Sequence, residues 1–205
     1  TPYYDRYGGH VEMEGYEMSP EERRILMALP DLPDEDTERE MYYMTRNCLG
    51  EQGYERYEIS NYARPGFECR HNVGYWTGTG YLGLGLGASS YLEGCRFHNT
   101  SDFQSYVSAH FDDKAEFNQT LRQDFEQLSV KSKMEEFMFL GLRLTRGVSA
   151  EGFITRFGQS IRNVYGGVID KLEREGLLEH KNGYYRLTER GLDLSNYAMS
   201  LFLLD

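Results

Sequence analysis

The apolar positions of this chain recur at helical spacing first, then at strand spacing. After Pro33 stand Asp34, Glu35, Asp36 and Glu38, negative charge where the positive end of a helix dipole would lie. Met41, Met44, Cys48 and Leu49 follow at helical intervals, and Gly50 and Gly53 close the element. The pattern predicts a helix over about 34–50, a short strand at Tyr54–Ile59, a loop through Pro65-Gly66 and a second strand at Tyr81–Leu86. Such helix–strand alternation suggests βα units. About 90 residues cannot close a βα barrel, which takes about 250, so 1–90 reads as a small open α/β layer or the back of a truncated barrel.

Beyond residue 90 the pattern changes. Thr100 or Ser101 caps a predicted helix toward Ala109. KMEEFMFLGLRL (133–144) places Met134, Phe137, Met138 and Leu140 or Gly141 on one helical face. Ser149 caps a short helix holding Phe153 and Phe157, and Ser160 starts a longer one ending near Gly176. LLEHKNGYYRLT is a hairpin, with Asn182-Gly183 the favoured type I′ pair, and a last helix leads into the apolar tail LFLLD. Three helices and a hairpin make a winged-helix-like arrangement over 131–205.

Composition narrows the function classes. No apolar run approaches the roughly 20 residues of a membrane span, and no signal-peptide pattern opens the chain. The opening TPYYDRYGG, which lacks Met, reads like the interior of something longer. Cys48, Cys69 and Cys95 lie too far apart for a compact zinc or iron–sulfur motif, and an odd, sparse count favours reduced thiols and the cytoplasm. Residues 1–130 carry 23 acidic and 11 basic side chains; residues 131–205 carry 10 and 11. An acidic front argues against nucleic acid or anionic membrane as its partner. The candidate recognition helix 160–175 balances Arg162, Lys171 and Arg174 against Asp170, Glu173 and Glu175, without the basic stripe that phosphate contacts require.

The densest chemistry lies in YEISNYARPGFECRHNVGYWTGTGYLGLGLGASS (57–90). His71, Asn72, Tyr75 and Trp76 fall within six positions, and Trp76 is the single tryptophan of the chain. A neutral imidazole is a good axial ligand for haem iron, so His71 is the candidate metal ligand, and flat rings suit a porphyrin face. If the segment is helical, His71 and Tyr75 share a face, and Asn72 would hold the imidazole or a loop carbonyl. The competing reading is a turn at Asn72 and Gly74 with Tyr75 and Trp76 plugging the core. Arg64, Arg70 and Arg96 are candidate clamps for porphyrin propionates, or simply solvated charges. Gly83, Gly85 and Gly87 with Ala88 would let a ligand or another backbone come close, though the spacing is not that of a dinucleotide-binding loop. Cys69 with His71 is too small a set for zinc, His98 and His110 are isolated, and Ser89-Ser90 have no evident base.

This central run resembles the HemW family, the haem chaperones related to oxygen-independent coproporphyrinogen III oxidase. His71 to Trp76 matches the family's HNxxYW element, and KMEEFMFLGLRL and RLTERGLDLSN resemble its C-terminal region. The resemblance implies a radical S-adenosylmethionine protein with a partly open βα barrel and a mostly helical C-terminal domain. It therefore implies an α/β chain, α+β overall, with 1–90 finishing the barrel and 91–205 forming the C-terminal domain. It implies haem or porphyrin as ligand, bound by His71 with Asn72, Tyr75 and Trp76, and haem-acceptor proteins as partners. The membrane is a further possible partner of the parent protein, though the sequence carries no sign of it. Ala63, Gly87 and Ala88 are expected to approach S-adenosylmethionine. The family holds its [4Fe–4S] cluster with a C-x-x-x-C-x-x-C motif that this sequence does not contain, so radical chemistry is not expected of this chain. Many relatives read Gly-Ala-His-Ser where this chain has Gly87-Ala88-Ser89-Ser90. The alternative to haem delivery is an anaerobic coproporphyrinogen III oxidase of porphyrin biosynthesis. A third reading has HNVGYW only packing a seam, with His71→Ala costing about 1–3 kcal/mol of stability and no ligand affinity.

Overall fold

A computed structural model describes residues 33–108 and 121–204, together with Ser19 and Arg24. His110, the opening TPYYDRYGG and the expected helix end at Ala109 lie outside the described residues. Two compact units are present, Thr1–Cys48 and Leu49–Asp205.

The first helix, α1, covers Glu35–Glu51, with acidic residues in its first turn and Asp34 accepting a 2.8 Å hydrogen bond from the Thr37 N–H. Gly53, at φ 77°, ends it: its N–H donates to Gly50 and that of Tyr54 to Leu49, the paired closure that satisfies the last carbonyls. The apolar stripe of α1 is helical as predicted, yet none of its residues is buried.

The second unit opens with a two-residue ladder, β1 (Glu55–Arg56) against β2 (Tyr62–Ala63). The predicted strand Tyr54–Ile59 is thus shorter, although its end runs beside a distant segment: Ile59 donates to Arg143, Thr145 to Tyr57, and Glu58 bridges Leu144. The next element is a helix, α2 (Arg70–Trp76). The second predicted strand, Tyr81–Leu86, is a loop instead, touching a strand only where Tyr81 bridges Tyr91. Its leucine–glycine alternation has strand period, but Gly85 (φ 107°) and Gly87 (φ 67°) take a backbone hand that a pleated strand does not use. Leu82, Leu84 and Leu86 are consequently exposed.

An antiparallel sheet follows that the sequence did not disclose: β3 (Ser89–Leu92), β4 (Cys95–Asn99) and β5 (Arg122–Gln127) in the order β3-β4-β5. Glu93 and Gly94, both at positive φ, make the tight β3–β4 turn. The helix expected from Thr100 or Ser101 is α3 (Phe103–Ser108), begun by Asp102, whose carboxylate accepts from the Ser105 N–H at 2.6 Å.

The remaining chain builds the main core. Helix α4 (Val130–Gly141) starts three residues before the expected segment because Ser129 caps it. Strand β6 (Val148–Ser149) precedes α5 (Ala150–Phe157) and the kinked α6 (Ile161–Arg174), capped by Ser149 and Ser160 as predicted. The hairpin β7 (Leu178–Lys181) and β8 (Tyr184–Leu187) turns at Asn182-Gly183, both at positive φ, and β6 adds to its edge in the order β6-β8-β7. The predicted last helix is two, α7 (Glu189–Asp193) and α8 (Ser195–Ser200). Met138, Leu142, Phe153, Ile169, Leu172 and Phe202 are fully buried at its centre. Helix and sheet are mixed, as expected, and the described strand pairs are all antiparallel, the α+β form of that class. No helix among the described residues is long and apolar enough to cross a membrane.

Tyr165 sits in this core with its hydroxyl lacking a hydrogen-bond partner among the described residues. Burial, with Glu135 nearby, pushes the hydroxyl well above the usual tyrosine range, so it stays neutral. Tyr165→Phe is therefore expected to raise stability by about 1 kcal/mol, since an unmet buried polar group is removed. A urea melt reads this as a higher midpoint at unchanged slope; a lower midpoint would mean the hydroxyl contributes a bond.

Candidate functional site

Helix α2 is only seven residues long, too short to be stable alone, so its neighbours must hold it. Thr77 ends it, its N–H and hydroxyl both donating to the Val73 carbonyl at 3.0 and 2.9 Å. Two faces emerge from the i, i+4 spacing, and they have different environments.

The inner face carries Asn72 and Trp76. The Asn72 amide donates to the Tyr57 hydroxyl at 3.5 Å rather than to the imidazole or to a loop carbonyl. The Arg143 guanidinium lies over the Trp76 ring, 4.3 Å from its centroid. Arg143 in turn pairs with Glu58 at 3.5 Å, and that carboxylate has 1% of its side-chain surface exposed. The other Glu58 oxygen accepts from the Ser60 N–H at 2.8 Å and the Asn61 amide at 2.6 Å. A buried carboxylate, a guanidinium and an indole thus stack in sequence and moor α2 to the segments around 58 and 143. Sequence reading missed Glu58 and Arg143. The signal was present only as a glutamate at a strand position between Tyr57 and Ile59.

The outer face carries His71 and Tyr75. His71 is exposed and meets the Tyr75 ring edge-on at 4.6 Å. Tyr75 meets Tyr81 in the same way at 4.6 Å, and Tyr81 lies 6.5 Å from Tyr91. Burial, then Tyr75 beside it, pushes the Tyr81 hydroxyl up, and the ladder of rings has the His71 imidazole at its open end.

The other candidates scatter. Ala63 is buried in β2, whereas Gly87 and Ala88 lead into β3 of another sheet. The glycine run has a structural use: the Asn99 amide donates to the Gly83 and Gly85 carbonyls, and a Cβ on Gly83 would collide with the Ser89 carbonyl. Arg96 pairs with Glu136 at 2.9 Å, Arg64 lies over Tyr54, and Arg70 is exposed. His98 sits 3.7 Å from Asp124. Among the described residues no group of three or more His, Cys, Asp or Glu side chains could hold a metal ion.

Comparison with known proteins sharpens this picture. Residues 128–194 match the HemN C-terminal domain family, covering α4 through α7. The heme chaperone HemW of Lactococcus lactis is 40% identical over 85% of this chain and 44% of its own length. The chain belongs to the HemW family. The Bacillus subtilis heme chaperone HemW is 35% identical over 84% of this HemW-family chain and, again, 44% of that relative. The chain thus spans less than half the length of the curated relatives it matches. Among solved structures, the radical SAM enzyme coproporphyrinogen III oxidase (HemN) from Escherichia coli overlaps 92% of this chain and 46% of its own, with a TM-score of 0.62 at 16% identity. That likeness concerns the fold. The HNVGYW helix α2 lies outside the matched C-terminal domain, so its geometry must speak for itself.

Proposed function

We propose that this HemW-family chain carries the haem-binding surface of a haem chaperone, with His71 as axial ligand. The observation that carries the reading is the division of labour within α2. Asn72 and Trp76 moor the helix, while His71 projects an exposed imidazole beside an aromatic ring. A packing role alone would not leave the histidine in solvent. An exposed ligand also suits a carrier, because an acceptor protein can approach the iron and replace the imidazole without unfolding the donor. The naming of both relatives as heme chaperones supports this reading.

In the parent protein, residues 1–90 would finish a βα barrel and 91–205 would form the C-terminal domain, winged-helix-like over 131–205. Ala63, Gly87 and Ala88 would lie toward S-adenosylmethionine, and a [4Fe–4S] cluster would be held by segments other than those in this chain. The working compartment is the cytoplasm, and the partners are haem and the proteins that receive it.

The test is a haemin titration followed at the Soret band, anaerobically. Saturable binding of one haemin per chain, with a band displaced from that of free haemin, is expected. A spectrum that remains that of free haemin at all ratios overturns the proposal for this chain. Conversion of coproporphyrinogen by the full-length protein would favour the oxidase over the chaperone.

A further inference from the structure

We infer that a second pocket, separate from His71, binds a carboxylate carried on a short arm from a flat apolar body. The pocket encloses about 250 Å³ between the end of α2, α4 and the start of α5, and His71 does not line it. This volume is below the roughly 300–1,000 Å³ of drug-sized sites, so it suits a small acid or one arm of something larger.

Its walls are apolar on one side, with Phe137, Leu140, Leu144 and Val148, and cationic on the other, with Lys133, Arg146 and Arg156. The one acidic side chain lining it, Glu136, is already matched by Arg96 at 2.9 Å. No carboxylate among the described residues pairs with Lys133, Arg146 or Arg156 at ion-pair distance. Three cations and one acid already matched by Arg96 thus line the cavity, with Glu68 acting on Arg146 and Glu136 on Arg156 from beyond ion-pair distance. Trp76 also lines the pocket, and its buried indole N–H has no acceptor among the described residues. Gly78 keeps this region open, because a Cβ there would stand 3.3 Å from the Arg156 guanidinium.

Guanidinium forks pair with both carboxylates and phosphates in bidentate fashion, so the backbone has to separate the two. Phosphate sites draw on free backbone N–H groups at a helix start, but at the start of α5 the Gly152 N–H is taken by the Ser149 hydroxyl at 3.0 Å. The carboxylate has two possible sources, a porphyrin propionate or a free aryl acid, with the same chemistry.

The probe is 3-phenylpropionate, titrated while the emission of Trp76, the sole tryptophan, is recorded and calorimetry is run alongside. Saturable binding is expected, with no response to 3-phenylpropionamide. In Arg146→Gln/Arg156→Gln, two exposed positions, the affinity falls at least about tenfold while far-UV circular dichroism is unchanged. His71→Ala keeps the wild-type response, which separates this pocket from the haem surface. Absence of saturation in both measurements, equal binding of the amide, or wild-type affinity in the double variant would sink the inference. Haemin then identifies the source: weaker haemin binding by the double variant assigns the pocket to a propionate, and unchanged haemin binding assigns it to a separate acid.

Discussion

His71→Ala is expected to remove the displaced Soret band and weaken haemin binding on the order of 100-fold, about 2.7 kcal/mol, because the proposed axial ligand is lost. The fold is expected to survive. His71 is exposed, and its one aromatic neighbour, Tyr75, makes an edge contact worth about 0.5–1.5 kcal/mol. Stability measured by urea should therefore fall by no more than about 1 kcal/mol. This pairing of outcomes separates the ligand from the packing reading, which requires the reverse: a variant clearly destabilised and binding haemin as before. A His71→Met variant adds a second check, since a thioether also ligates haem iron and would give a different but still displaced band.

Glu58→Ala should lower stability by about 3 kcal/mol, more than any surface change in the chain. The carboxylate is fully buried, and its loss strands three groups together. The Ser60 N–H and the Asn61 amide lose their acceptor, and Arg143, stacked on Trp76, loses its counter-charge. Glu58→Gln preserves an acceptor oxygen and should cost about half as much. A double-mutant cycle with Arg143→Met should give a coupling of at least about 1 kcal/mol, as for residues sharing one network. The emission of Trp76 is expected to change in Glu58→Ala, because the guanidinium over its ring is no longer held. A urea midpoint within about 0.5 kcal/mol of wild type would show that the stack does not moor α2.

Both predictions concern one short helix, what it presents and what holds it, and they differ in how far the sequence foretold them. His71 was legible: an imidazole, an amide and two large rings within six positions is an unusual local composition, and it matched a family pattern. The shared face of His71 and Tyr75 also followed from spacing alone. The partners of Asn72 and Trp76 did not, because Tyr57 and Arg143 reach them across gaps in sequence that no periodicity spans. Similarly, Tyr81–Leu86 has strand alternation, but nothing local reveals that its glycines turn left-handed to fold back on Ser90 and Asn99.

The C-terminal helices and hairpin, and the family, are legible in the local pattern of residues. Ser149, Ser160 and the Asn182-Gly183 pair act on backbone groups within three or four residues, so their effect is written where they stand. Long-range packing set which glutamate is buried, which histidine stays in solvent, that 89–99 and 122–127 pair as an antiparallel sheet, and that three cations with no ion-pair partner among the described residues share a pocket with an indole. The reason is physical. A cap or a turn is satisfied by its neighbours, whereas burial and charge pairing depend on whichever distant segment comes to lie on top, and that is settled only when the chain closes on itself.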